Sequence, residues 1–314
     1  MNNDIKGQHI QDIDPKLLKL FLSDKTTKKY LRWGSDNYIG YGEEYGADQE
    51  MSPELVIRSY EFIIQPRVIK TEEEKANRTK DRAEVFTPSW VCNEQNNLID
   101  NAWFGYANAF NHSEGKTWIT VTDKIRFSDG KKWKDYVDAR RLEVTCGEAP
   151  YLVSRYDTVS GDKIAVKDRI GLLDRKLRVI KENAADEEEW YQWTVRAFQS
   201  CYGYDFQGDN VFLARENLLF TFIEYFQEYM NQDPNFKQIN EIANIIAWNI
   251  WQMNGITMTA PFSQAEAAYK QISLFELYGD GKVEEDATIN EIPCKIFDWR
   301  AKRSMEFGSI VRGK

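Results

Sequence analysis

Histidine is nearly absent from this chain, which contains only His9 and His112 among its 314 residues. A metal site built on several histidines and a Ser-His-Asp triad both need imidazoles that the sequence does not have, and we expect no metal centre. The cysteines are also few, and none belongs to a C-x-x-C pair, which argues against structural zinc and for reduced thiols. The four are Cys92, Cys146, Cys201 and Cys294.

Long apolar runs are missing as well. No run approaches the roughly 20 residues that a membrane-spanning helix requires. The first residues, MNNDIKGQHIQDIDPK, contain no apolar signal region. We therefore expect a cytoplasmic protein that has no membrane partner.

Excess positive charge is the third absence, because 41 Lys and Arg stand against 50 Asp and Glu, a net charge of −9. A protein that grips many DNA phosphates usually presents a basic surface, and the chain as a whole does not predict one. The local clusters KKWKD at Lys131 and RAKR at Arg300 are best interpreted as solvated faces. The 10 Trp, 16 Tyr and 17 Phe suit a core, an interface or base stacking, and their number does not choose.

The first eighty residues are predicted to be mostly helical. DPKLLKLFLSDKTTKKYLRW begins with an acidic residue and a proline and carries apolar residues at helical spacing. A second helix is predicted over SPELVIRSYEFIIQPR, ending at Pro66. We take residues 1–80 as a helical N-terminal extension and residues 81–314 as the main domain, in which KTWITVTDKIRFSDGKKW predicts strand, turn and strand.

From Arg141 onward, strands alternate with helices. RLEVTCG and CYGYDF are strand candidates, each followed by a long helical stretch, and IPCKIFDWR is a late strand. The helical stretches are IGLLDRKLRVIKENAADEEEWYQWTVRAFQS and DNVFLARENLLFTFIEYFQEYM, and INEIANIIAWNIWQMNG is an apolar segment. This alternation predicts an α/β fold whose parallel sheet has helices on both faces.

The stretch EVTCGEAPYL follows the first strand of this alternation. Gly147 and Ala149 are small residues in the turn, and Pro150 suits the first turn of a helix, where a missing N–H costs nothing. Ala149 fits only if its φ is negative. Taken alone, the stretch is better interpreted as a structural turn than as a ligand loop.

An acidic residue, Asp205, stands just past the second strand. A carboxylate at such a strand tip is placed to accept hydrogen bonds from both hydroxyls of a ribose. A lone Asp there is by default a helix N-cap, but Asp209 and Asn210 are better capping candidates and leave Asp205 for another role.

Together these segments resemble the adenine amino-methyltransferases of bacterial restriction-modification systems, including stand-alone proteins of the restriction endonuclease subunit M type. Their cofactor loop, roughly D-P-x-C-G-x-G-x-F-L, is matched in register, and so is their G-x-[DE] followed by A-x-x-N-L. The first set is Glu143, Cys146, Gly147, Tyr151 and Leu152, with Ala149 in place of the second glycine. The second set is Gly203, Asp205, Ala214, Asn217 and Leu218, with Phe206 beside the acidic residue.

Two further segments extend the resemblance. AEVFTPSWV is similar to the family's G-x-x-[FY]-T-P segment, which implies that Phe86, Thr87 and Pro88 hold the methionine end of S-adenosylmethionine. Asn254 occupies the position of an acidic residue that contacts the adenine ring. The resemblance implies a Rossmann-like S-adenosylmethionine-dependent methyltransferase fold, DNA as substrate and a restriction or specificity subunit as partner. The long stretch between the first two motifs is an insertion or an extra helix.

The family's catalytic signature, [DNS]-P-P-[YFW], is absent. TAPF (Thr259 to Phe262) is nearest in letters, whereas FDWR is better placed after a strand. In FDWR, Asp298 would accept from the adenine amine and Trp299 would stack on a flipped base. A loop with a surface Asp and a buried Trp is the favoured alternative for these two residues. Two functions therefore stay open: a DNA adenine methyltransferase, and a catalytically inactive methyltransferase-fold partner or regulatory subunit, each in a restriction-modification or phage-defence setting.

Overall fold

Three short parallel strands form the central sheet, and long helices connect them. The computed structural model describes residues 14–58, 61–70, 87–128, 130–263 and 291–311. The strands are β5 (Arg141–Val144), β6 (Cys201–Asp205) and β7 (Ile250–Gln252), in the spatial order β5-β6-β7. Every residue of the central strand β6 is buried.

The connections between these strands are helical, as parallel strands require. Helices α5 (Leu172–Asn183) and α6 (Glu187–Gln199) lie between β5 and β6, and α7 (Gly208–Met230) and α8 (Phe236–Asn249) lie between β6 and β7. The prediction of an α/β protein with alternating strands and helices is confirmed at this level.

The two faces of the sheet differ. Cys201 and Ile250 point into a large core built mainly from helices. Tyr202, Tyr204 and Trp251 point into a smaller core on the opposite face. In the described part of the chain, that second face packs against an antiparallel hairpin and a short helix, where the sequence predicts further helices. The hairpin consists of β8 (Lys295–Asp298) and β9 (Arg303–Glu306), and the helix is α9 (Phe307–Val311).

The remaining elements precede the sheet in sequence. The helices are α1 (Pro15–Leu22), α2 (Pro53–Val56), α3 (Ser89–Phe104) and α4 (Trp133–Asp138). The strands are β1 (Ile57–Arg58), β2 (Glu61–Phe62), β3 (Asn111–Glu114) and β4 (Thr117–Thr120), which form two antiparallel hairpins. None of the helices that the structure describes is both long and apolar enough to cross a bilayer. All four cysteines are buried free thiols.

Three local predictions are wrong. The helix predicted over DPKLLKLFLSDKTTKKYLRW ends at Leu22, and residues 23–50 form turns, isolated bridges and short 3-10 helices, so the described N-terminal residues are not mostly helical. The helix predicted over SPELVIRSYEFIIQPR is only the four residues of α2, followed by the β1–β2 hairpin. Phe62 and Ile64 are buried on either side of a half-buried Ile63, so the period here is that of a strand. β4 pairs with β3 and not with a strand near Ile125. The Ile125 N–H instead donates to the Glu182 carboxylate at 2.8 Å.

The N-terminal residues share the main core with the rest of the chain. Leu17 and Phe21 of α1 are fully buried in the same cluster as the residues of α7 and α8. Further along, the chain passes so close to α7 that a Cβ on Gly208 would stand 2.1 Å from the Arg32 carbonyl oxygen. The proposed boundary at residue 80 lies outside the described residues, and the division into two domains stays a prediction.

A buried arginine joins these parts. Arg215 of α7 is fully buried. Its guanidinium donates to backbone carbonyls at the end of α1, at the end of α8 and at the start of β7. The acceptors are Phe21 at 2.5 Å, Ser23 at 2.9 Å, Ala247 at 3.2 Å and Ile250 at 2.9 Å. Burial lowers its pKa to about 10, which still leaves it charged at neutral pH.

We expect Arg215→Met to lower the free energy of unfolding by on the order of 3 kcal/mol or more, because it removes the donor from several buried carbonyls at once. Urea unfolding followed by circular dichroism measures this loss. The matched change Arg126→Met, at an exposed arginine, should leave the midpoint nearly unchanged. Equal midpoints for the two variants would show that Arg215 does not hold these elements together.

Candidate functional site at the ends of the parallel strands

The carboxyl ends of β5 and β6 meet at one edge of the sheet. The Cys146 N–H donates to the Tyr204 carbonyl at 2.8 Å. One residue on, the Gly147 N–H donates to the Asp205 carboxylate (Oδ2) at 2.9 Å. The structure thus brings together two residues that the sequence places 58 positions apart.

Asp205 already accepts three hydrogen bonds from the chain itself. Its second oxygen, Oδ1, accepts from the Gln207 N–H at 2.9 Å and from the Asn210 side-chain amide at 3.4 Å. The residue is only 7% exposed. Burial raises the pKa of Asp205 to about 6, although the hydrogen bonds from Gln207 and Gly147 oppose this rise.

The expectation that Asp209 and Asn210 cap the helix and leave Asp205 unoccupied is wrong. Helix α7 begins at Gly208, so both residues lie inside its first turn. The Asp209 carboxylate accepts from the Tyr38 hydroxyl at 2.9 Å, and Asn210 donates to Asp205. Asp205 itself closes the turn that leads from strand to helix.

Glu143 organises the loop after β5. Its carboxylate accepts from the Tyr151 N–H at 3.2 Å and from the Leu152 N–H at 3.1 Å. Burial raises the pKa of Glu143 to about 8 and outweighs these two donors. Glu143 therefore stabilises the fold of the loop from a position at which it is almost inaccessible to solvent.

The loop does not meet the condition stated for Ala149, and one prediction about the loop is wrong. Ala149 adopts a positive φ of 63° beside Gly147 at 52°, with its methyl group buried in the core. No helix begins at Pro150, because residues 145–152 form successive turns and α5 begins only at Leu172. The Leu172 N–H at the start of that helix donates to the Tyr151 carbonyl at 2.8 Å. This helix N–H is therefore already paired with the loop.

The Thr-Pro segment packs against the continuation of the same loop. The Thr87 carbonyl accepts from the Thr158 hydroxyl at 3.0 Å, and the Asp157 carboxylate accepts from the Ser89 N–H at 2.7 Å. Pro88 stands at the N-cap of α3. Phe86 lies outside the described residues.

The third strand tip is occupied by a turn. The Asn254 side-chain oxygen accepts from the Ile256 N–H at 3.0 Å, and its backbone pairs with Thr259. The Phe206 carbonyl accepts from the Gln252 amide at 2.7 Å. The Asn254 side chain thus serves the local backbone, and the Phe206 ring packs on Phe262 with centroids 5.7 Å apart.

Gln252 was not predicted as part of this site. Its side-chain oxygen accepts from the Arg32 N–H at 2.9 Å, and its side-chain nitrogen donates to the Arg32 carbonyl at 2.8 Å. These two hydrogen bonds fasten the N-terminal chain over the strand tips. A polar residue inside the apolar stretch NIIAWNIWQMNG is the signal that points to such a buried bond.

The catalytic candidates lie at the opposite end of the sheet. Asp298 accepts from the backbone N–H groups of Arg300 and Ala301, and its carboxylate is 3.5 Å from Arg140, which directly precedes β5. These hydrogen bonds, that of Ala301 first, hold the pKa of Asp298 below its usual value. The Trp299 indole donates to Asn249, just before β7, at 2.8 Å.

The length of β6 separates the two ends. Five residues span about 13 Å at roughly 3.3 Å per residue. The structure therefore does not bring Asp298 and Trp299 to Gly147 and Asp205. An apolar cavity of about 160 Å³ lies at the Asp298 end, between Leu142, Tyr202 and the hairpin.

Comparison of the chain with protein-family models, with curated proteins and with solved structures gave no match. Within the described ranges, no group of three or more His, Cys, Asp or Glu residues is arranged to hold a metal ion.

The raised pKa of Glu143 predicts a pH dependence of stability. Between about pH 4.5, its ordinary pKa, and about pH 8, the folded chain holds a proton that the unfolded chain releases. The stabilisation from this group is complete below the lower value and is lost as the pH rises through the higher one. Unfolding in urea from pH 5 to pH 8 should therefore show a steeper fall for the wild type than for Glu143→Gln. The exposed change Glu114→Gln should keep the wild-type slope, and the same slope in Glu143→Gln would contradict the assignment.

Proposed function

We propose that this chain is a non-catalytic protein with a methyltransferase-like α/β core, acting as a partner or regulatory subunit in a DNA-modification or phage-defence setting. The observation that carries the proposal is the hydrogen bond between the Gly147 N–H and the Asp205 carboxylate. It joins the two groups that a nucleoside cofactor would otherwise contact.

The methyltransferase-like core is supported by the order of the elements. The strands that end in the Cys146-Gly147 turn and in Asp205 are parallel neighbours, and β7 continues the sheet on the far side of β6. Consecutive parallel strands with helical crossovers are typical of nucleotide-binding α/β proteins. A Rossmann-like methyltransferase fold is the finer form of this proposal.

Adenosine does not fit the strand tips as they stand. A ribose hydroxyl would have to share Oδ2 of the buried Asp205 with the Gly147 N–H, because the other oxygen already accepts from Gln207 and Asn210. A buried carboxylate exchanges such donors only if the turn opens, because an unpaired buried charge is costly. S-adenosylmethionine binding, as the resemblance implies, would therefore need a rearrangement of the tips.

The absence of catalysis is supported from the other end of the sheet. Asp298 is engaged by two backbone N–H groups and Arg140, and Trp299 is fixed to Asn249. Both residues fit the loop interpretation better than a role in methyl transfer. A carboxylate and an indole at the amino ends of the strands do not reach a methyl donor at the carboxyl ends.

A tritium-transfer assay tests the proposal. With methyl-labelled S-adenosylmethionine and DNA of mixed sequence, we expect no transfer above that of heat-denatured protein. An active adenine methyltransferase serves as the positive control. Transfer by the wild type that Asp205→Ala abolishes, while the exposed change Asp162→Ala preserves it, would overturn the proposal.

Calorimetry addresses the cofactor separately. We expect no saturable heat from S-adenosylmethionine up to about 1 mM. The Kd would then be weaker than about 1 mM, which corresponds to a binding free energy weaker than about −4 kcal/mol. Tight binding that Asp205→Ala weakens would show that the tips open, and would contradict the closed arrangement as the binding state.

A further inference from the structure

The β8–β9 hairpin and its neighbours form a basic surface on an acidic chain. The turn carries Arg300 and Lys302, and β9 begins with Arg303; all three are exposed. Arg140 and Arg196 lie beside it, because Arg140 is 3.5 Å from the Asp298 carboxylate and Arg196 shares the Asp138 carboxylate with Arg300. We call these five residues the hairpin basic surface.

Two carboxylates form ion pairs with these cations. Asp298 pairs with Arg140, and Asp138 is shared by Arg196 and Arg300. With Glu306, which is exposed on β9, the described residues here hold five cations against three carboxylates, a local excess of positive charge on a chain whose net charge is −9. The surface is therefore suited to a polyanion.

A row of aromatic rings adjoins the hairpin basic surface. The ring centroids of Trp248 and Phe297 are 5.4 Å apart, and those of Phe297 and Trp299 are 4.5 Å apart. All three side chains are partly exposed. The ammonium groups of Lys28 and Lys25 lie 5.4 Å and 5.9 Å from the Trp248 ring, which places cations at the other end of the row.

Cations on both sides of partly exposed aromatic rings match one chemistry in particular. Single-stranded nucleic acids present phosphates at regular intervals and unpaired bases whose flat faces stack on aromatic side chains. In a duplex the bases are already stacked and paired, so the aromatic row would gain nothing from it. An acidic protein segment would use the cations but not the rings.

We propose that this surface binds single-stranded nucleic acid, with phosphates on the hairpin basic surface and on Lys25 and Lys28, and with bases on Trp248, Phe297 and Trp299. The surface lies at the amino ends of the parallel strands, away from the Gly147–Asp205 site. It therefore does not depend on the proposed function, and its test involves no cofactor.

Fluorescence anisotropy with a fluorescein-labelled oligothymidylate of 15 nucleotides tests the proposal on the full chain. We expect saturable binding that weakens as NaCl rises from 50 to 200 mM, with a slope of about 0.7 per phosphate contact. An unlabelled single strand should compete well, and the same length of duplex should compete at least about tenfold less well. A duplex that competes equally would overturn the proposal.

Matched charge reversals locate the surface. Lys28→Glu combined with Lys302→Glu should weaken binding about tenfold or more and reduce the salt slope. The control, Lys116→Glu combined with Lys163→Glu, makes the same change in net charge at two exposed lysines elsewhere. Equal weakening by both pairs would show that only the overall charge matters, and would reject the site.

The aromatic contribution has its own test. Phe297→Leu should weaken binding about fivefold or more at an unchanged salt slope, because it removes a stacking ring but no charge. Thermal unfolding of each variant establishes that it is folded, and the charge reversals decide the matter if Phe297→Leu is not. Unchanged affinity in folded Phe297→Leu, or displacement of the oligonucleotide by equal charge equivalents of polyglutamate, would contradict a role in base recognition.

Discussion

The arrangement of the chain depends on one buried cation. Helices end with backbone carbonyls that have no partner within the helix, and such groups must be satisfied when the end is buried. Arg215 satisfies the end of α1, the end of α8 and the start of β7 from a single position on α7. The start of β7 is thereby fixed at the residue where its pairing with β6 begins, Ile250 opposite Gly203.

The same principle explains why the strand tips are closed. A carboxylate beside main-chain N–H groups has the composition of a nucleotide site. The same groups are also able to form hydrogen bonds with each other. Asp205 accepts from the Gly147 N–H on the neighbouring strand and from the Gln207 N–H in its own turn. Glu143 does the same for the N–H groups of Tyr151 and Leu152. Residue types at strand tips therefore indicate where polar groups converge, and do not show whether a ligand lies between them.

The sequence predicted the elements that have a strong local pattern. Asp14 caps α1 as expected from DPKLLKLFL, and α7 and β6 are where the apolar stretches place them. The errors occur where tertiary bonds compete with local preference. Pro150 would suit a helix start, but Glu143 binds the following N–H groups and holds the chain in turns. The hairpin β8–β9 was visible as a strand, yet nothing in FDWR shows which end of the sheet it covers.

The four cysteines give this architecture a built-in set of reporters. Cys92 lies in α3, Cys201 in β6, Cys146 in the closed turn and Cys294 beside the hairpin, and burial raises the pKa of each thiol. A thiol reagent reacts with the exposed thiolate, so each cysteine is modified only when its own region opens. Rates of alkylation at the four positions would therefore compare the opening free energies of the helical layer, the central strand, the strand tips and the C-terminal hairpin within one native chain.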